Sequence, residues 1–236
     1  MRQHLVARQL DEQVADRFPG RSGLRVLEVG VPPAAGAWSE AVGTLRLARA
    51  GHHVTLLEPD PEVRADVLSA LEEEPSAVRR LVRLAEGDAG ETGAHFLPRT
   101  FDVVLCHGVL AAASEPVGTL AGLARVLAPG GLLSVLVRNE AATALHSGRT
   151  GDWDATLAAF DAVEPTFGLE TMTALLSRVG APLHAWYGVE VFTPGTETTA
   201  AVPRQLAAEE RAGRTDPYRS VAAHLHLCGV RGASSV

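Results

Sequence analysis

The sequence predicts an α/β fold with a doubly wound, mostly parallel sheet of seven strands and an antiparallel edge. Five short apolar segments alternate with helical segments between Leu24 and Val137, which favours a parallel sheet with right-handed crossovers. The fourth segment, Phe101 to Cys106, is almost wholly apolar, as expected for a strand that is covered on both faces. Two later strand-like segments, Ala185 to Phe192 and Val221 to Val230, are separated by a long polar stretch and suggest an antiparallel pair at the sheet edge.

Each element has a local reason in the sequence. The first five strands are short apolar runs, predicted at Leu24–Val29, His53–Leu57, Leu81–Ala85, Phe101–Cys106 and Leu132–Val137. Apolar residues at helical spacing predict helices at Met1–Phe18, Ser39–Ala50, Pro61–Leu71, Val117–Leu127, Leu169–Val179 and near Ala201–Ala212. Pro19 and Gly20 end the first helix, and Asp60 and Pro61 begin the third as N-cap and first residue. The residues from Ala128 to Gly131 are expected to form the turn that closes the fourth helix.

We expect one domain over residues 1–236, with an N-terminal helix in residues 1–20. Residues 140–170 follow the fifth strand and are expected to form a helical insertion or cap, anchored by Trp153 and Phe160. Hydrophobic residues make up 46% of the chain, which is enough for a substantial core. We expect a cytoplasmic protein, because no apolar run is long enough for a membrane helix and the first residues do not resemble a signal peptide.

Composition excludes several kinds of chemistry. The formal net charge is −7, which disfavours a strongly basic nucleic-acid binder. The chain has no lysine, so all 21 basic residues are arginines. That absence rules out a Walker phosphate loop, a pyridoxal Schiff base and a lysine general base. Cys106 and Cys228 lie in apolar strand-like runs, so we expect buried thiols in a reducing compartment.

Polar residues and glycines follow the predicted parallel strands, where ligands bind in such sheets. These candidates, from the first strand to the fifth, are Glu28, Gly30, Glu58, Asp88, His107 and Asn139. Each has an ordinary alternative, because an acidic residue at a strand end is often a helix cap or a solvated turn, and a histidine there is often structural. Their occurrence as a set at one predicted edge is harder to explain by chance and predicts a nucleotide-type cofactor site.

The motifs LRVLEVG, GHHVTLLEPD, AEGDA, FDVVLCHGVL and LARVLAPGGLLSVLV resemble, in order and spacing, the class I S-adenosylmethionine-dependent methyltransferases, which have a Rossmann-like sheet. Further segments resemble one branch of that class, the tRNA carboxymethoxyuridine methyltransferases. They are RQHLVARQLD near the start, HGVL, Arg138-Asn139, GVEVF and DPYRSVAAHLHL.

The resemblance implies S-adenosylmethionine as the cofactor and a role for each candidate. Arg2 would pair with the methionyl carboxylate, Gly30 would line the methionyl pocket, and Glu28 would also belong to the cofactor site. Glu58 would hold the ribose, Asp88 would lie near the adenine, and His107 would lie near the sulfonium end. Asn139, Tyr218 and Arg219 would face the methyl acceptor, an oxygen or carboxylate of a small molecule or a modified tRNA base. His107 and Asn139 would be the catalytic residues.

Two departures from the family pattern leave alternatives open. Only Gly30 aligns with the glycine cluster of the first motif, and the loop from Val31 to Glu40 is longer and contains two prolines. Arg2 follows Met1 directly, and chain termini are usually mobile. A methyltransferase-like binding or regulatory protein without turnover is therefore the second hypothesis. An NAD-dependent oxidoreductase is the third, although the LAPGG element argues against it.

No metal site is predicted. His224 and His226 share a strand face, but no acidic or cysteine partner is expected near them. The arginines between Arg204 and Arg219 are interpreted as ordinary surface residues, with an RNA-facing groove as the alternative.

Overall fold

The computed structural model describes residues 1–30, 43–161, 166–193 and 203–232. Seven strands form one sheet in the order β3-β2-β1-β4-β5-β7-β6. The strands are β1 Arg25–Val29, β2 His53–Leu57, β3 Val82–Ala85, β4 Phe101–His107, β5 Leu127–Arg138, β6 Leu183–Val189 and β7 His224–Val230. The first five strands pair in parallel, and β7 runs antiparallel to both β5 and β6. This arrangement confirms the predicted fold class.

Helices cover both faces of the sheet. They are α1 Arg2–Arg17, α2 Gly43–Arg49, α3 Pro61–Glu72, α4 Ser76–Arg79, α5 Thr92–His95, α6 Pro116–Val126, α7 Leu145–Thr150, α8 Trp153–Asp161, α9 Leu169–Arg178 and α10 Pro203–Ala212. On one face, α6 and α9 pack on alternate side chains such as Leu27, Val104 and Val135. On the other face, α1 and α2 pack on the intervening residues of the same strands, including Val26 and Leu105. This alternation is the period-2 pattern of a sheet buried on both sides.

The predicted turn from Ala128 to Gly131 is wrong in its detail. These residues belong to β5 and form an irregularity in its pairing with β4, where Phe101 pairs with Leu127 and Val103 already pairs with Leu132. The backbone of Gly130 is in the left-handed region, with φ of 73°, which glycine adopts at little cost. Proline and glycine therefore mark a bulge inside a strand instead of the end of one.

The expected anchoring of the 140–170 segment is also wrong. The side chains of Trp153 and Phe160 are 66% and 74% exposed, and α8 has no buried residue. The helix packs against α7 and does not reach the core, so its apolar residues stay on its outer side. Helix α9, in contrast, buries Met172, Leu175 and Leu176. Within the described part of the chain, none of the helices is both long and apolar enough to span a membrane.

Candidate functional site

The sheet order brings the predicted strand-end residues into one row. Asp88, Glu58, Gly30, His107 and Asn139 follow β3, β2, β1, β4 and β5, which are successive neighbours in the sheet. Adjacent strands are about 4.8 Å apart, so these positions share one carboxyl edge. The chain order reverses direction between β1 and β4, and α/β sheets bind ligands in the crevice at such a point.

Gly30 forms a close approach in the middle of this row. Its backbone has a φ of 64°, and its N–H donates to the Leu57 carbonyl at 2.8 Å. A Cβ atom here would lie 2.6 Å from the Cγ2 atom of Val109, closer than real Cβ contacts occur. Only glycine satisfies both the left-handed backbone and this lack of space. The loop from Val31 to Glu40, where the sequence departs from the family's glycine cluster, lies outside the described residues.

Glu28 points toward the start of α2. Its carboxyl group is 7% exposed, and the Thr44 hydroxyl donates a hydrogen bond to it. Burial raises the pKa of Glu28, although the hydrogen bonds from Thr44 and the charge of Arg46 oppose that shift. Gly43 also touches this carboxyl group, since a Cβ there would come within 2.5 Å of its Oε1 atom. Glu28 therefore joins β1 to the first turn of α2 at the site's edge.

Glu58 and Asp88 both accept backbone hydrogen bonds in the segments after their strands, Glu58 in the loop before α3 and Asp88 as the cap of a short 3-10 helix. The Oε1 atom of Glu58 accepts a hydrogen bond from the Asp60 amide at 3.0 Å, and its side chain is buried, with 4% exposed. The Oδ1 atom of Asp88 accepts from the Gly90 amide at 2.8 Å, and Asp88 is exposed. Carboxylates are rarely buried unless they have a partner. The burial of Glu58 therefore favours a functional role more than the exposed position of Asp88 does.

His107 ends β4 and hydrogen bonds inward. Its Nε2 atom is 2.8 Å from the Ser134 hydroxyl oxygen, and that oxygen is 2.8 Å from Nε2 of His226 on β7. Burial and the charge of Arg46 lower the pKa of His107 to about 4. Burial and the neighbouring His107 lower the pKa of His226 well below its ordinary value. Both rings are therefore neutral near pH 7.

Asn139 is 3% exposed, and its amide is fully engaged. Its Oδ1 atom accepts from the Ala141 amide at 3.1 Å. Its Nδ2 atom donates to the carbonyls of Ser220 at 3.0 Å and Ala222 at 2.8 Å. These bonds fasten the segment before β7 to the end of β5. The structure therefore gives Asn139 a positioning geometry, and its predicted contact with an acceptor stays a prediction.

Arg2 contacts a protein carboxylate in this structure. Its Nε atom donates to Oε2 of Glu190 at 2.9 Å, and Nδ1 of His224 lies 3.2 Å from the same oxygen. The expectation that no acidic residue lies near His224 is therefore wrong. Glu190 follows β6 with a φ of 61°. It belongs to the GVEVF segment, but the sequence predicts no role for it because one glutamate at a strand end is common. The predicted contact of Arg2 with a cofactor carboxylate stays a prediction.

Tyr218 and Arg219 lie beside β6 in a 3-10 turn, Tyr218–Val221. Arg219 donates two hydrogen bonds to Asp216, at 2.8 and 2.7 Å, and its guanidinium carbon lies 3.9 Å from the centre of the Trp186 ring. Tyr218 is 50% exposed, and its ring is 6.2 Å from that of Phe192, in an edge-on arrangement. Arg219 thus holds the turn in place, while the aromatic ring of Tyr218 is half exposed to solvent.

A cavity of about 250 Å³ lies at the same sheet edge, beyond β5. It is enclosed by α7, the residues that follow β6, and the segment before β7. Its lining residues include Leu145, His146, Arg149, Glu190, Phe192 and Ala223. The guanidinium of Arg149 is exposed and has no ion-pair partner among the described residues. Sequence reasoning missed Arg149, because surface arginines are abundant in this chain.

The described residues contain no group of three or more histidine, cysteine, aspartate or glutamate side chains arranged to hold a metal ion.

Comparisons with known proteins point to methyltransferases. Residues 37–135 match the family described as a methyltransferase domain. The tRNA 5-carboxymethoxyuridine methyltransferase of Escherichia coli K12 is 24% identical to this chain, over 96% of this chain and 87% of its own length.

Solved structures share the fold. A S-adenosylmethionine-dependent methyltransferase from Mesorhizobium loti superposes with a TM-score of 0.58 and 16% identity, covering 93% of this chain and 96% of its own. The cyclase SpnF superposes with a TM-score of 0.61 and 19% identity, covering 97% of this chain and 82% of its own.

Replacing Gly30 with alanine tests the close approach at the centre of the row. We expect Gly30→Ala to lower the free energy of unfolding by about 1–3 kcal/mol, because alanine disfavours the left-handed backbone and its Cβ overlaps Val109. Urea denaturation measures this loss. Gly180→Ala is the matched control: Gly180 also has a positive φ of 77°, but a Cβ there meets nothing within 4 Å. Equal losses in the two variants would contradict the close approach.

The neutral rings of His107 and His226 predict a stability that depends on pH. Both groups bind protons more weakly in the folded protein than in the unfolded chain, so acid favours unfolding. We expect the free energy of unfolding to fall as the pH drops from 6.5, the ordinary histidine value, toward the value of about 4 for His107. Urea denaturation across this range should show a shallower slope for His107→Gln. His4→Gln, at an exposed position, should keep the wild-type slope, and unchanged slopes in both variants would refute the assignment.

Proposed function

We propose that this class I S-adenosylmethionine-dependent methyltransferase binds its cofactor across the carboxyl ends of β2, β1 and β4 and transfers a methyl group to an oxygen or carboxylate of a small molecule or a modified tRNA base. The observation that carries the proposal is the row of Glu58, Gly30 and His107 on three adjacent strands at the point where the chain order reverses.

The residues in the row fit the parts of this cofactor. The buried carboxylate of Glu58 is suited to accept hydrogen bonds from the two ribose hydroxyls, and the exposed Asp88 is suited to accept from the adenine amino group. Gly30 lets the end of β1 pack tightly against Val109, and in this proposal its backbone lines the methionyl chain. When bound, the cofactor supplies an electrophilic methyl group on a sulfonium. The Nε atom of Arg2 donates to Glu190, so a contact with the methionyl carboxylate would use its terminal guanidinium nitrogens or an exchange of partners.

The cavity beyond β5 is our candidate for the acceptor site. It lies at the same sheet edge as His107, beside the end of β6 and the start of β7, and it has room for one small ring. Arg149 offers a cation for an anionic acceptor. Phe192 and Tyr218 are 49% and 50% exposed and offer aromatic edges and faces on which a base can stack. The Escherichia coli relative, which by its name acts on a tRNA uridine, supports the tRNA form of this proposal.

The proposed reaction needs little acid–base help. A carboxylate acceptor is already ionised near pH 7, so the protein's task is to align it with the methyl group and to exclude water. In this proposal His107 stays neutral and positions a ligand, and Asn139 holds the segment before β7 that borders the cavity. A cytoplasmic location is part of the proposal, because Cys106 and Cys228 are buried free thiols.

Calorimetry with S-adenosylhomocysteine tests the cofactor half. We expect binding by the wild type and a dissociation constant raised roughly tenfold or more in Glu58→Gln, because charge-assisted hydrogen bonds to the ribose are weakened. Glu62→Gln, an exposed glutamate on α3, is the control and should bind as the wild type does. Failure of the wild type to bind either S-adenosylhomocysteine or S-adenosylmethionine at millimolar concentration would refute the enzyme and favour a binding protein. Binding of NAD alone would point to an oxidoreductase.

The acceptor half is tested in cells. We expect deletion of the gene to remove one methylated nucleoside from total tRNA, measured by mass spectrometry. A copy with Arg149→Ala should restore less of it than a copy with Arg178→Ala, a substitution at an exposed arginine of α9. An unchanged nucleoside profile after deletion would exclude tRNA and leave a small-molecule acceptor.

A further inference from the structure

A chain of four hydrogen-bonded side chains crosses the sheet beneath α1. It begins at His107 on β4, passes through Ser134 on β5 and His226 on β7, and ends at Gln9 on α1. The three contacts are each 2.8 Å long. Ser134 and His226 are both 0% exposed and Gln9 is 2% exposed. The surrounding layer is apolar, with Leu10, Leu105, Leu132 and Cys228 among its members.

The end of the chain fixes the direction of every hydrogen bond in it. The partner of His226 Nδ1 is the Oε1 atom of Gln9, and an amide oxygen can only accept. His226 therefore carries its proton on Nδ1, and its Nε2 accepts from the Ser134 hydroxyl. Ser134 has only one proton, so its oxygen accepts from Nε2–H of His107. In a neutral imidazole the other nitrogen has no proton, so Nδ1 of His107 carries a lone pair.

We propose that Ser134, His226 and Gln9 are positioning residues that hold His107 in the Nε2–H tautomer, so that Nδ1 of His107 accepts a hydrogen bond from an N–H or O–H group of the bound cofactor. The tautomer of His107 follows from the buried chain of hydrogen bonds alone. The identity of the ligand rests on the proposed function.

The charges near His107 also favour a neutral imidazole ring. Arg46 on α2 acts on His107 as a positive charge, and a second positive charge on the ring would be repelled by it. A sulfonium ligand would add to this repulsion. A neutral ring with a lone pair on Nδ1 avoids both penalties and still offers a directional contact. His107 is therefore better suited to accept a hydrogen bond from a cationic cofactor than to donate one to it.

Nitrogen NMR of the histidine rings tests the tautomer in the ligand-free protein. We expect His107 to show a pyrrole-type Nε2 and a pyridine-type Nδ1. Ser134→Ala removes the link, so we expect its His107 to lose the single tautomer, while Ser134→Thr keeps the hydroxyl and restores it. Gln9→Leu breaks the far end of the chain and gives a second way to release the tautomer if Ser134→Ala does not fold.

Gln13→Leu is the matched control. Gln13 lies one turn after Gln9 on the same helix, is 7% exposed, and donates to the Tyr187 hydroxyl at 2.7 Å without joining the chain. We expect Gln13→Leu to lose stability as the other variants do but to keep the wild-type His107 tautomer. A protonated Nδ1 in wild-type His107, or an unchanged tautomer in both Ser134→Ala and Gln9→Leu, would overturn the proposal.

The ligand contact has its own readout. Addition of S-adenosylhomocysteine should shift the Nδ1 resonance of wild-type His107 in the direction of a hydrogen-bonded acceptor. Ser134→Ala should raise the dissociation constant roughly fivefold, about the worth of one ordinary hydrogen bond, and Gln13→Leu should not. Binding that leaves Nδ1 unchanged would overturn the contact. Failure of the wild type to bind would refute the proposed function instead, because the tautomer is read without ligand.

Discussion

The parallel pairing of β1 with both β2 and β4 is the constraint on which the site depends. Val26 pairs with Val54 on one side and with Val103 on the other, so the carboxyl ends of three strands lie side by side. The Gly30 amide then bonds to the end of β2, and Val109 packs directly against Gly30. These contacts leave no space for a side chain at the centre of the row. The crevice is therefore set by backbone geometry, and the side chains around it supply the chemistry.

The sheet edge has two halves with different character. From β3 to β4, carboxylates and a close backbone approach favour a ligand with hydroxyl and amino groups. From β5 to β6, the cavity is lined by the cation of Arg149 and by the exposed ring of Phe192. His107 stands between the halves, and the hydrogen-bond chain behind it reaches across β5 to β7 and α1. A substitution of Gln9 on α1 would therefore affect His107, which lies at the boundary between the two halves.

The sequence predicted the sheet and its polar edge, because both depend on patterns local to the chain. The alternation of strands and helices implied the parallel order. The residue that follows each strand can be identified without knowing which strands are neighbours in the sheet. Hydrogen-bond partners that are distant in sequence could not be predicted in this way. Ser134 and His226 are single polar residues inside apolar strands, and nothing local shows that both face α1 and meet Gln9. The predicted anchoring by Trp153 and Phe160 rests on their apolar type alone, although α8 lies outside the core.

The contact between Arg2 and Glu190 lies beside the cavity, because Glu190 is one of the cavity's lining residues. Burial would raise the pKa of Glu190, but His224 and the charge of Arg2 outweigh it and hold the pKa below its ordinary value. Removing Arg2 would leave a buried carboxylate with His224 as its remaining partner, and an unpaired buried charge is costly. If Arg2 moved to a cofactor carboxylate, as proposed, Glu190 would need compensation, which a donor from a ligand in the cavity that Glu190 lines could supply. Occupation of the cofactor half and of the cavity would then favour each other, since each relieves the cost of the other.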